Sequence, residues 1–223
     1  MFGGCYRDRV SATEAVPTAW GDAEGRRRDI LRSAERLLDE SGYAALTVRA
    51  VAAGAGVSLG TVYQYFQGKE DLFVALMAAR LGALQTTLAE LDRDLGIAGM
   101  LRAVLPELTE IWRLFGRSAP QWESIVLASG RRSNRQITSA TVWRKTMRAL
   151  DQTIREVAEA SGQVLVDDPA MPHWVWDALL GVADDLVHKS SAHAKVPSAR
   201  LIEFATAALE RSIVIGRVDP VRG

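Results

Sequence analysis

Apolar side chains recur along most of this chain with the spacing of an α-helix. Ile30, Ala34 and Leu38 lie four residues apart and form one apolar face, which predicts a helix that begins at residue 22 or 23 and ends at residue 41. A similar pattern predicts a long helix over residues 69–95. Because β-branched residues rarely alternate with polar ones, the pattern predicts no strand, and we expect an all-α fold.

Glycine and proline positions divide the second half of the chain into further helices. Residues 96–99 contain two glycines and predict a break. Proline is favoured in the first turn of a helix, and Pro120, Pro172 and Pro197 each stand where a helix can begin. The helices predicted beyond the break cover residues 100–115, 120–129, 135–161, 172–193 and 198–216.

Two short helices joined by a glycine-containing turn are predicted around residue 55. Thr47 is a good N-cap for the first helix, which stops at residues 53–56, and Ser58 caps a second helix over residues 59–66. A glycine in the turn lets the backbone take a positive φ. This arrangement is typical of a helix-turn-helix, although short helix pairs also occur where they serve packing alone.

The second of these short helices has side chains suited to a DNA groove. Val62 and Phe66, four residues apart, are apolar and can seat the helix on the core. Its other side chains are mostly small, hydroxyl or amide groups, and none is acidic. Hydroxyl groups bond to phosphates, and a glutamine can bond to the edge of an adenine.

Charge is balanced over the whole chain but unevenly distributed along it. There are 27 basic and 27 acidic residues, which alone gives no support for phosphate binding. Between residues 41 and 69 the charged residues are Arg49 and Lys69, and residues 26–28 are three consecutive arginines. From residue 149 onward, eleven acids stand against seven bases. Positive charge therefore accompanies the predicted helix-turn-helix, and the C-terminal third is acidic.

The helix-turn-helix segment resembles the signature of the TetR family of transcription regulators. The matching runs are Gly-Val-Ser-Leu-Gly-Thr-Val-Tyr-Gln-Tyr-Phe at residues 56–66 and Lys-Glu-Asp-Leu at residues 69–72. The resemblance is specific over about residues 30–73. It implies an N-terminal three-helix DNA-binding domain and a C-terminal helical ligand-binding and dimerisation domain. The expected divisions are a flexible arm (1–22), a helix-turn-helix domain (23–69), an effector-binding and dimerisation domain (70–216) and a loose tail (217–223).

The same resemblance implies which residues contact double-stranded DNA. Thr47 and Arg49 match phosphate-contacting positions at the start of the first short helix, and Lys69 matches one at the start of the long helix. The recognition surface, including two phosphate-binding tyrosine positions, is matched by Ser58, Leu59, Gly60, Thr61, Tyr63, Gln64 and Tyr65. Because Gln64 is the one bidentate amide in this set, we expect DNA shape to contribute much to recognition.

The last two predicted helices are apolar on more than one side. Trp174 and Val182 on the first, with Leu201 and Ala208 on the second, extend the apolar surface beyond a single stripe. A second apolar side must be buried against another surface, and two such helices from each of two subunits form a four-helix bundle. We therefore expect a homodimer that binds a pseudo-palindromic operator with half-sites ~34–36 Å apart.

Aromatic and methionine side chains in the second half form a candidate effector pocket. Aromatic-lined clefts between helices are common ligand sites, but the same side chains also suit a packed core. The candidate residues are Met100, Trp112, Phe115, Trp122, Trp143, Met147, Trp174 and Trp176. We expect an apolar or aromatic small molecule that shifts the 69–95 helix and releases the operator, while co-repression remains the alternative sign.

Other functions receive less support from the residue patterns. No metal-ligand spacing, nucleophile and base arrangement or phosphate-binding glycine loop appears, so we expect no enzyme, metal or cofactor. The lone Cys5 and the absence of a signal segment or of an apolar run of ~18 residues favour a cytoplasmic protein without a membrane span.

Two questions stay open at the level of sequence. A non-specific architectural DNA binder is an alternative to a regulator, although the acidic C-terminal third argues against DNA wrapping. Two basic runs, at residues 26–28 and 131–135, each fit either a solvated segment or a contact with an anion. The anion would be DNA for the first run and an effector for the second.

Overall fold

The computed structural model describes residues 23–118, 134–188 and 196–217. The predicted arm and the helix predicted over residues 120–129 lie outside these ranges. The described helices are α1 (Ala23–Ala45), α2 (Val48–Ala55), α3 (Leu59–Tyr65), α4 (Lys69–Glu90), α5 (Gly96–Phe115), α6 (Asn134–Ala160), α7 (Met171–His188) and α8 (Ser198–Ile213). Two short strands are β1 (Gln163–Leu165) and β2 (Val214–Arg217), and single 3₁₀ turns lie at Arg93–Leu95 and Gly116–Ser118.

The all-α fold class is confirmed, but the expectation of no strand is wrong in detail. β1 and β2 pair in antiparallel fashion, with Gln163 opposite Arg217. The backbone N–H of Val166 also donates to the carbonyl of Ile213 (2.8 Å). The last helix therefore ends at Ile213 and not at residue 216, and Arg217 belongs to a strand and not to a loose tail. The two strands are too short for the apolar alternation that reveals a strand in sequence.

The boundary between the fourth and fifth helices also differs from the prediction. α4 ends at Glu90, five residues early, and α5 begins at Gly96, within the predicted break. Gly99 lies inside α5, where an added Cβ would stand 2.9 Å from the Cβ of Leu95. Close packing against Leu95, and not an interruption of the helix, accounts for this glycine.

Arg93 fixes the corner between α4 and α5. Its guanidinium donates to the carbonyls of Leu88 (3.0 Å) and Leu91 (2.6 Å), which α4 leaves without intrahelical partners at its C-terminal end. It also bonds to Glu156 of α6 at 2.9 Å. Hydrogen bonds from Gln152 and Arg93 lower the pKa of Glu156, so this carboxylate remains charged at the corner.

One continuous apolar core connects the N-terminal helices with the helical body. α4 packs against α1, α5 and α6, while α5 packs against α7 and α8. By length and composition alone α4 is apolar enough to cross a membrane, but Leu72, Phe73, Leu84 and Leu88 are buried in the core. The domain division expected near residue 69 stays a prediction, since the buried cluster continues across it.

Two glycines offer a matched test of the backbone at the helix-turn-helix. Gly56 has φ 66°, whereas Gly82 lies inside α4, and an added Cβ would meet nothing within 4 Å at either position. Gly56→Ala is expected to lower the free energy of unfolding by about 1–2 kcal/mol, because an L-residue is strained in the left-handed region. Gly82→Ala is expected to raise it by about 0.5–1 kcal/mol.

Urea unfolding followed by circular dichroism measures both variants. Destabilisation of equal size by both substitutions would contradict this account, because only one of the two positions has a positive φ.

Candidate DNA-binding site

Hydrogen bonds from α1 hold α2 in place. The Ser33 hydroxyl donates to the carbonyl of Val51 (3.0 Å), and the Arg36 guanidinium donates to that of Gly54 (3.1 Å). An added Cβ on Gly54 would stand 2.4 Å from the Ser33 oxygen, so only glycine permits this approach. α2 is thereby fixed by polar contacts as well as by burial of Val51.

The caps predicted for the two short helices are present. The Thr47 side chain accepts from the backbone N–H of Ala50 (3.1 Å), and that of Ser58 accepts from Thr61 (3.0 Å). Between them Gly56 adopts the left-handed conformation, with φ 66° and ψ 29°. Each cap satisfies a donor that the helix start leaves unpaired. Residues 47–65 therefore form the helix-turn-helix that the sequence predicts.

Gly42 directly follows the residue at which the first helix was predicted to end. Its φ is 72° and its ψ is −178°, a combination that is open almost only to glycine, and the helix bends there. The bend directs the following Tyr43 toward α4, where its ring contacts that of Phe73.

α3 is seated on the core by the two residues that its spacing indicated. Val62 and Phe66 are buried, while the opposite side exposes Leu59, Gly60, Tyr63 and Gln64. Tyr63 is 56% exposed, so it is not the core aromatic that a packing role requires. An added Cβ on Gly60 would come no closer than 3.7 Å to the Ser58 hydroxyl. Packing within the chain therefore does not require glycine at this position.

Two other residues of the predicted DNA-binding surface, Thr61 and Tyr65, make contacts within the protein. The Thr61 hydroxyl lies 2.8 Å from that of Ser58. Tyr65 is half-buried, and its ring centroid stands 6.4 Å from that of Phe66. The exposed face of α3 therefore presents Tyr63 and Gln64 more fully than Thr61 and Tyr65.

Two cations beside α3 lie over aromatic rings. The Lys69 ammonium is 4.4 Å from the centroid of Tyr43, and the Arg27 guanidinium is 5.6 Å from that of Phe66. The sequence did not indicate the contact between Tyr43 and Lys69, because nothing in the spacing of residues 43 and 69 reveals it. The ring contact gives Arg27 a structural neighbour that the sequence did not indicate, and its part in DNA binding stays open.

Two acids, Glu70 and Asp71, lie beside this surface in the first turn of α4. α2 and α3 contain none, and the Asp71 carboxylate at the start of α4 accepts from the backbone N–H of Gln67 (2.8 Å). Arg49 is exposed at the start of α2. The surface formed by α2 and α3, with Lys69 at its edge, is thus suited to approach phosphates.

The residues proposed for an effector pocket lie in several different contacts. Trp143 and Trp176 form an edge-to-face pair with centroids 5.0 Å apart. The Trp112 indole donates to Asp184 (2.6 Å), and the Trp174 indole donates to Ser212 (3.1 Å). Phe115 contacts Phe73 and so faces the N-terminal helices. Met100 and Met147 are buried, and Trp122 lies outside the described residues.

An open cleft of about 850 Å³ lies elsewhere, along the end of α6 and β1. It is lined by Arg155 and residues 158–167, none of which was proposed for the pocket. Nothing among the described residues gathers three His, Cys, Asp or Glu side chains in a position to hold a metal ion. The effector pocket stays a prediction.

Comparison with known proteins identifies the helix-turn-helix. Residues 30–76 match the model of the bacterial regulatory proteins of the tetR family. The chain is 30% identical over 154 residues to the HTH-type transcriptional regulator HbdR of an Aromatoleum species, covering 66% of this chain and 65% of that protein. It is 39% identical over 75 residues to the HTH-type transcriptional repressor AcnR of Corynebacterium diphtheriae, covering 31% of this chain and 40% of the repressor.

A solved structure extends the likeness in fold to the helical body. A TetR family regulator from Vibrio parahaemolyticus superposes with a TM-score of 0.62 at 19% identity, over 86% of this chain and 100% of the other. This similarity concerns the fold alone, whereas the family match rests on the N-terminal sequence. The capped helix pair, its buried seat and the family match together show that residues 30–76 form a helix-turn-helix domain of the TetR family of transcription regulators.

Proposed function

We propose that the protein is a transcriptional repressor that binds a pseudo-palindromic DNA operator as a homodimer and leaves it when a small molecule binds. The observation that carries the proposal is the surface of α3, which is acid-free, exposes Tyr63 and Gln64, and rests on a buried seat. Relatives named as repressors support the direction of regulation. A regulator of this kind acts where the bacterial chromosome lies, in the cytoplasm.

α3 enters the major groove in this proposal, and the residues beside it bind the backbone. Gln64 and Leu59, both exposed, face base edges, since an amide can bond to adenine and an apolar side chain can contact a thymine methyl. Thr47, Arg49, Tyr63 and Lys69 contact phosphates. The remaining predicted contacts, Ser58, Gly60, Thr61 and Tyr65, complete this surface. With so few polar base contacts, the deformability of the DNA contributes to the choice of site.

The apolar outer sides of α7 and α8 support a dimer through the last two helices. Trp174 and Phe204 are 53% and 62% exposed although both rings are large and apolar. The bond from Trp174 to Ser212 joins the two helices into one unit. A second copy of the same pair buries these rings and arranges two α3 helices about a two-fold axis.

α4 is the structural route from an effector to the operator in this proposal. It begins at Lys69 beside α3 and packs on α6 at its other end, where Gln85 donates to Thr146 (2.8 Å). An ion pair between Arg80 and Glu35 also joins it to α1. An apolar or aromatic molecule that displaces α4 would therefore change the placement of α3. A tightly bound effector that left operator affinity unchanged would contradict this coupling.

A second prediction separates base reading from phosphate binding. Gln64→Ala is expected to change the preferred sequence, because it removes the one bidentate amide of the exposed α3 face. Lys69→Ala is expected to weaken binding about equally on all sequences and to flatten the salt dependence of log Kobs by about 0.9 for each lost contact, or about 1.8 for the dimer. Selection of bound DNA from a random pool, followed by titration at several salt concentrations, measures both effects.

Lys145→Ala is the matched control for charge, since Lys145 is exposed on α6 far along the chain from the helix-turn-helix. Wild-type binding by both the Gln64 and Lys69 variants would show that the docking assignment is wrong. A wild-type protein with no sequence preference would instead favour the non-specific DNA binder.

A third prediction concerns the dimer. Phe204→Glu is expected to convert the protein to monomers without unfolding it, because the side chain is exposed in the protomer and a charge cannot be buried without a partner. Sedimentation velocity measures the mass. Leu95→Glu is the control, since Leu95 is 46% exposed but lies outside the last two helices. A Phe204→Glu protein that remained a dimer would place the interface elsewhere.

A further inference from the structure

We propose that Tyr43 is a positioning residue for operator binding, which holds the Lys69 ammonium in place to meet a DNA phosphate. The inference rests on the proposed function, because it requires that Lys69 contacts DNA. It starts from the 4.4 Å separation between the Lys69 nitrogen and the centroid of the Tyr43 ring. Both residues are half-buried, so the contact lies at the edge of the core and not in open solvent.

Lys69 needs such support because of its place in the chain. It is the first residue of α4, where the positive end of the helix dipole disfavours a cation. Its long flexible side chain also loses rotamer freedom when it is held for one phosphate. The negative face of an aromatic ring attracts an ammonium and offsets both effects. The ring covers one side of the ammonium, and an ammonium has three donors, so a donor remains for a phosphate oxygen.

The ring of Tyr43 is itself fixed from beneath. It meets Phe73 edge to face, with centroids 5.0 Å apart, and Phe73 meets Phe115 of α5 in the same way at 5.2 Å. Phe73 and Phe115 are both buried. Because Lys69 and Phe73 are four residues apart on α4, they lie on one face of that helix, and Tyr43 packs across both. The position of the cation therefore depends on helices of the body as well as on the surface.

These ring contacts link the end of α5 to the DNA surface through Phe73, near the start of α4. Phe115 is the last residue of α5 and lies two ring contacts from the ring that holds Lys69. Arg113, two residues earlier, pairs with Asp39 of α1. Displacement of the end of α5 would move the ring, and with it the ammonium.

Two substitutions of Tyr43 test the role with the operator selected by the wild-type protein. Tyr43→Leu removes the ring, and we expect about three- to tenfold weaker operator binding, in line with the strength of a partly exposed cation–π contact. The salt slope should flatten toward that of Lys69→Ala, a change of up to about 1.8 for the dimer. Tyr43→Phe keeps the ring face and should bind as the wild type does. In a Lys69→Ala background, Tyr43→Leu should add little further loss.

A merely structural role gives a different pattern. If Tyr43→Leu weakens binding additively with Lys69→Ala and leaves the salt slope unchanged, the positioning role is overturned. Wild-type affinity and slope in Tyr43→Leu would overturn it as well, while leaving the proposed function intact. Absence of sequence-preferring DNA binding by the wild type would overturn the proposed function, and the positioning role with it.

A measurement on the wild-type protein without DNA tests the contact independently of whether the Tyr43 variants fold. The ring current of Tyr43 should shift the ε-methylene protons of Lys69 upfield in the NMR spectrum of the free wild-type protein, and Lys69→Ala identifies the signal by its loss. Lys145 supplies the comparison, since it is exposed. An unshifted Lys69 signal in the folded wild-type protein would overturn the proposal irrespective of the variants.

Discussion

Burial of α4 is the interaction on which the other features of this protein depend. Near its start, Phe73 contacts the ring of Tyr43, and near its middle an ion pair joins Arg80 to Glu35 of α1. Near its end, the carbonyl of Leu88 accepts from Thr153 of α6 (3.4 Å). Since protein interiors are close-packed, one helix that fills both regions makes their positions interdependent. The helix-turn-helix is consequently held against the body and does not hang from it by a linker.

The DNA surface combines this rigid support with a chain of zero net charge. Electrostatic attraction to DNA depends on the charges near the contact, because salt screens charges beyond about 8 Å at physiological ionic strength. The acid-free α2 and α3, of which α2 carries Arg49, and Lys69 at the start of α4 therefore supply positive charge next to the contact. The aromatic rings that contact Lys69 and Arg27 restrict the movement of these two charged side chains.

Local signals predicted the helix-turn-helix well and the longer-range features poorly. The caps at Thr47 and Ser58, the positive φ of Gly56 and the buried pair Val62 and Phe66 all follow from spacing over a few residues. The end of α4 could not be predicted, because Arg93 and its bonds to α6 decide it. The strands were missed since each is stabilised by a partner about fifty residues away. The proposed pocket residues separate into different contacts, for aromatic composition does not reveal which rings meet.

The sequence by itself determined the helical class, the recognition helix and the family resemblance, because short-range periodicity, capping and turn geometry depend on neighbouring residues. Only the tertiary structure decided that Tyr43 lies beneath Lys69, that Phe115 faces the DNA-binding helices, and that Trp174 and Phe204 remain uncovered in the protomer. Those facts arise from the packing of helices far apart in the chain. Contacts of that kind are set by the shape of the whole core, and no local pattern records them.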